Sequence, residues 1–124
     1  MIGEERKKNR EFIEKSISYL EKKGFTDIKA DLPGYTSPKS FIKKKEGLNI
    51  SADLSAKKEG RKYFFDISLK SGKSRLLKSK WLLLDAVAQS KSEYFRIITT
   101  KGHIQFTQKL LQDVNLSHKT LIKI

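Results

Sequence analysis

Cysteine is absent from this 124-residue chain, so neither a disulfide frame nor a thiolate metal cluster is available to it. Proline occurs only twice, and tryptophan and methionine once each. The two histidines, His103 and His118, are too few for a zinc site or a Ser-His-Asp triad. The seven glycines are scattered, which excludes a glycine-rich phosphate loop. No stretch approaches the roughly 18 consecutive apolar residues of a membrane span. The opening MIGEERKKNREF is charged too early for a signal peptide. Together these absences lead to the expectation of a cytoplasmic, membrane-free protein, a single domain over residues 1–124 with one core.

Acidic residues are also scarce: 14 against 27 lysines and arginines, a formal net charge of +13. Between positions 39 and 80 stand 13 basic and 4 acidic residues, net +9 of that total. Such a chain concentrates polyanions and speeds their association, which points to nucleic acid as the partner; DNA is the expected form, although charge alone does not separate it from RNA. Lys43, Lys44, Lys45, Lys73, Arg75, Lys78 and Lys80 are the expected contacts. The plainer alternative is a lysine-rich solvated surface, or one that meets an acidic protein partner.

The apolar pattern is that of an α/β fold. Residues 4–23 read as a helix striped by Phe12, Ile13, Ile17 and Leu20, with Gly24 as its stop. Strands follow at 25–32, 48–56 and 62–70, with a polar loop through 33–47 and a turn at Glu59-Gly60. A helix over 74–90 carries Leu77, Trp81, Leu84 and Ala88 in one row, Trp81 being a core residue by position. A strand at 94–100, a helix at 104–115 and a strand at 119–124 complete the order α-β-β-β-α-β-α-β. That order predicts a mixed four- to five-stranded sheet flanked by helices.

One hairpin carries the candidate chemistry. In YFFDISL, Tyr63, Phe65, Ile67 and Leu69 share a core face, which puts Asp66, Ser68 and Lys70 on the other. A turn centred on Glu59-Gly60 sets Asp53 directly opposite Asp66. Opposed like charges have Cβ atoms about 4.5–5.5 Å apart and repel, unless a cation bridges them. Mg²⁺, or Mn²⁺ in its place, takes such carboxylates and fills its shell with water and phosphate oxygens. Two carboxylates, a lysine and a basic surface are the parts of a metal-assisted phosphodiester hydrolase.

Helix, three-strand meander, helix and strand, with an aspartate on the second strand and an acid-to-lysine strand after it, resemble the PD-(D/E)XK nuclease superfamily. The resemblance covers residues 4 to about 100. FDISLK, then SKW at Ser79–Trp81 and KGH at Lys101–His103, is similar to a group of small bacterial proteins of that fold. It implies Asp53 as the first aspartate, Asp66 as the second acid, both as Mg²⁺ ligands, and Lys70 as the nearest candidate for the lysine. It implies further that Glu14 or Glu11 on the first helix could add a ligand and that Gln89 could touch substrate. Such nucleases often pair to cut two strands, so a homodimer is one option. Two positions depart from the pattern: Ala52 replaces a proline, and Ser68 stands two residues after Asp66, where the lysine belongs. Lys70 is four residues from Asp66, about 13 Å along a strand. In the alternative register, Asp53 faces Ser68 instead. The expectations are therefore a Mg²⁺-dependent nuclease or, with its acidic site decayed, a non-catalytic nucleic-acid-binding domain on the same scaffold.

Overall fold

A computed structural model describes residues 1–43 and 48–124. The chain is an α/β protein with a five-stranded mixed sheet, a two-stranded sheet and four helices among the described residues. In chain order the elements are α1 (Glu5–Lys8), α2 (Arg10–Lys22), β1 (Thr26–Ala30), β2 (Ser40–Lys43), β3 (Leu48–Ser51), β4 (Leu54–Lys58), β5 (Arg61–Ser68), α3 (Ser74–Ser90), β6 (Tyr94–Thr99), α4 (Ile104–Asp113) and β7 (Leu121–Lys123). The main sheet runs β1-β4-β5-β6-β7, antiparallel through β5 and parallel from there on.

Two expectations need correction. The first helix is broken at Asn9, whose backbone leaves the helical region and whose side-chain amide donates to the Glu5 carbonyl at 2.9 Å. Asparagine competes for helix backbone groups in this way. The expected strand over 48–56 is two strands in different sheets: β3 pairs with β2, and β4 enters the main sheet. Between them the Ser51 carbonyl accepts from Arg6 at 2.7 Å, and the Asp53 amide donates to the Asp66 carboxylate at 3.2 Å. Side-chain partners thus replace ladder partners at the point where the chain turns from one sheet to the other.

The β4–β5 hairpin has the expected register, with Lys58 opposite Arg61 and Leu54 opposite Phe65. Glu59 and Gly60 both adopt positive φ, 53° and 75°, as a two-residue type I′ turn requires. Strand β5 is covered on both faces. Phe65 and Ile67 pack with Ile13, Ile17 and Leu20 of α2, and Phe64 packs with Leu77, Trp81 and Leu84 of α3. The crossovers β5-α3-β6 and β6-α4-β7 advance the sheet in one direction, so α3 and α4 lie together on one face and α2 on the other. Asp66 and Ser68, on the face opposite Phe65 and Ile67 as expected, are enclosed beneath α3 and α4, so that face too is buried.

Candidate active site

Asp53 and Asp66 come together as the hairpin register demands, and both are fully buried. Asp53 stands just before β4 and Asp66 lies inside β5. The Asp53 amide donates to Asp66 Oδ1 at 3.2 Å, and the Ile67 amide donates to Asp53 Oδ2 at 2.8 Å. Each carboxylate is thus tied to the backbone at or next to the other aspartate.

The cation that bridges them is the ammonium of Met1. It lies 2.5 Å from Asp53 Oδ2, 3.2 Å from Asp66 Oδ2 and 2.8 Å from the Ile67 carbonyl oxygen. Glu5 steadies this segment, accepting from the Ile2 amide at 3.0 Å and from the Ser71 hydroxyl at 2.5 Å. Lys80 of α3 completes the enclosure. Its Nζ is 2.8 Å from Asp66 Oδ1 and 3.6 Å from Asp53 Oδ1, and it donates to the Met1 carbonyl at 2.5 Å. Arg6 donates through Nε to Asp53 Oδ1 at 2.7 Å and also pairs with Asp31. The Trp81 indole N–H reaches Asp66 Oδ2 at 2.8 Å, so the ring belongs to the core while its one polar atom belongs to the site.

These surroundings push the two carboxyls apart. Burial raises both. At Asp53 it is outweighed by the Lys80, Met1 and Arg6 cations, which hold that carboxyl well below its ordinary range. At Asp66 burial, joined by the Asp53 charge, prevails over Lys80 and Met1, and the carboxyl is pushed up. Burial also disfavours the Arg6 charge, but Asp53 and the neighbouring aspartates more than offset it.

Asp53 Oδ2, Asp66 Oδ2 and the Ile67 carbonyl converge on a single cationic centre. An all-oxygen set containing two carboxylates suits a hard divalent ion. The donor chemistry therefore fits Mg²⁺ or Mn²⁺, provided that the Met1 ammonium gives up the position. Among the described residues no third acidic side chain or histidine joins the pair. A cavity of about 180 Å³ lies against this seam, lined by Met1, Ile2, Arg6, Ser51, Leu76 and Lys80 among others.

The other expected residues lie elsewhere. Lys70 is exposed beyond the end of β5, its amide bonded to His103 Nδ1 at 2.8 Å, and no ion pair joins it to either aspartate among the described residues. Ser68 is buried against Thr107 of α4, their hydroxyl oxygens 2.6 Å apart. Glu14 is an exposed partner of Arg10, and Gln89 bonds to Asp85 on its own helix. Asp85 in turn pairs with Lys119. Lys73 and Arg75 are exposed at the start of α3, and Lys78 pairs with Asp113. Lys80, expected at the nucleic-acid surface, is buried in the acidic site. Lys44 and Lys45 fall outside the described residues, and Lys43 is described by its β2 backbone alone.

Sequence reasoning missed the roles of Met1, Arg6 and Lys80. A signal for Lys80 existed: Leu77, Lys80, Trp81 and Leu84 share one stripe of α3, so a lysine interrupts an apolar row. No family model, curated protein or solved structure matches the chain.

Proposed function

We propose that the chain is a metal-dependent nuclease of the PD-(D/E)XK kind, seen with its cation position held by its own Met1 ammonium. The observation that carries this reading is the convergence of Asp53, Asp66 and the Ile67 carbonyl on one cation, with Lys80 alongside. Within the main sheet, with the separate β2–β3 hairpin set aside, the order α2-β1-β4-β5-α3-β6 and a hairpin that opposes the two aspartates support the same arrangement.

Asp53, Asp66 and the Ile67 carbonyl would hold the metal, whose chemistry is to lower the pKa of a bound water and to polarise a phosphoryl oxygen. Lys80 takes the part first assigned to Lys70, a fixed positive charge beside the carboxylates that offsets a phosphate oxygen. Trp81 orients Asp66, Arg6 orients Asp53, and the β4–β5 hairpin keeps Asp53, just before β4, beside Asp66 of β5. Lys73 and Arg75 supply exposed charge near the start of α3.

A second reading has its own observation. Every carboxylate oxygen of the pair meets a protein donor, and both aspartates are fully buried. On that reading the cluster is a structural ion-pair centre, and the basic chain binds nucleic acid without cutting it.

Incubation with single-stranded, duplex and branched DNA and with RNA, in Mg²⁺ and then Mn²⁺, separates the two. The nuclease reading expects chelator-sensitive cleavage that Asp66→Asn and Lys80→Met each slow at least about 100-fold, while Lys70→Gln stays near wild type. Cleavage by none of the preparations, or equal cleavage by wild type and Asp66→Asn, leaves the binding reading.

A further inference from the structure

A separate cluster of lysines gathers at the far end of the same sheet face. Lys57 and Ser55 alternate with Leu54 and Ala56 on β4, so they share the α3 side of the sheet with Asp53. Lys62 does the same on β5, four residues before Asp66 and about 13 Å from it along the strand. Lys29 of β1, Lys39 just before β2 and Lys91 just after α3 complete the group. The five line one cavity of about 150 Å³ together with Asp27 and Glu93.

Pairing among the described residues does not explain this convergence. Among the described residues, Lys57 is the one member with a carboxylate in ion-pair range, Asp27 at 3.3 Å. Lys39 and Lys91 place their ammonium groups 5.8 and 5.2 Å from the same Phe41 ring, which itself packs edge-on against Phe64. Lys91 lowers the Lys39 pKa, a mark of crowding between like charges. Five chain segments thus direct positive charge at a small concave space in excess over its two acids. Ammonium groups are compact point charges, suited to a tetrahedral anion approached from several sides.

We propose that this pocket binds a phosphate monoester, carried either by the 5′ end of a nucleic-acid strand or by a free phosphorylated small molecule. The free-phosphate form of the proposal is independent of the nuclease reading; the strand-end form rests on its nucleic-acid partner. The site is distinct from the Asp53–Asp66 centre, and its test runs in chelator without cleavage, so either idea can fail alone.

Inorganic phosphate is titrated into the full chain at constant ionic strength, with backbone amide shifts as the readout. Saturable shifts are expected around Lys57, Lys62 and Lys91. The double variant Lys39→Gln/Lys91→Gln should bind at least about tenfold more weakly, since it removes two charged donors. The charge-matched control Lys15→Gln/Lys22→Gln, at exposed positions of α2 on the other face of the sheet, should bind as wild type does. A second arm compares a 5′-phosphorylated single strand with its 5′-hydroxyl twin. Tighter binding of the phosphorylated strand, lost in the Lys39/Lys91 variant, identifies a strand end. Equal strand binding with retained phosphate binding identifies a free small molecule. No saturable phosphate shift, or equal weakening in the control, overturns the proposal.

Discussion

Asp53 and Asp66 are chemically identical and sit side by side, yet they contribute to stability with opposite signs. The depressed Asp53 carboxyl stabilises the fold fully above its unfolded pKa of about 4, and that contribution is lost as pH falls further. The raised Asp66 carboxyl binds a proton in the folded state that the unfolded chain has already released. Its effect is a loss of stability as pH rises from about 4 through its folded value. Chemical denaturation across a pH series should therefore show Asp66→Asn flattening the change above about 4, and Asp53→Asn flattening the drop below it. At neutral pH, Asp53→Asn should cost about 3–5 kcal/mol, because it strands the buried Met1, Lys80 and Arg6 charges. Asp66→Asn should cost clearly less. Equal costs, or the same pH profile in both variants, would contradict the assignment. The opposed aspartates were legible from strand alternation and one turn. Lys80 was not assigned to them because helix-to-strand contacts are tertiary, and a strand pattern points along the strand to Lys70. Met1 and Arg6 carried no pattern at all: a terminus acquires meaning only where the fold puts it.

Among the elements, the β4–β5 hairpin decides the site, because a slip of one residue would turn Asp66 to the α2 side of the sheet. Its register rests on Glu59 and Gly60, both at positive φ. Gly60→Ala should destabilise by about 1 kcal/mol, with stability measured by urea unfolding at constant m-value. A neutral or stabilising result would mean that the turn does not set the register. This hairpin was readable because its alternation is clean and its turn is short. The β2–β3 hairpin was not, since residues 39–47 are dominated by lysine and read as loop. The edge contact of Phe41 on Phe64, 5.7 Å between centroids, ties that small sheet to the large one. No local periodicity announces such a contact. The break at Asn9 escaped notice for a different reason: the apolar stripe runs from Phe12 onward and is silent about the turn before it.

For the whole molecule, the excess of 13 positive charges is the dominant feature. The structure divides the expected contacts, with Lys80 drawn into the acidic centre and Lys78 paired to Asp113. Lys73 and Arg75 are exposed on α3. Binding to a labelled duplex should weaken steeply with salt, with a slope of about −0.9 in log–log terms for each phosphate neutralised. Lys73→Gln/Arg75→Gln should reduce that slope by up to about two such increments. A slope near zero in wild type, or one untouched by the double variant, would remove nucleic acid as the partner of this surface.

The central claim, that Asp53, Asp66 and the Ile67 carbonyl form a divalent-cation site now held by Met1, has a direct probe in the single tryptophan. The Trp81 indole N–H lies 2.8 Å from Asp66 Oδ2 and gives one resolvable proton signal. Substoichiometric Mn²⁺, a paramagnetic ion, should broaden the Trp81 indole and Ile67 amide signals first, and Asp66→Asn should require far more metal for the same effect. If those signals persist while exposed carboxylate regions broaden, or if Asp66→Asn responds as wild type does, the buried pair is not a metal site.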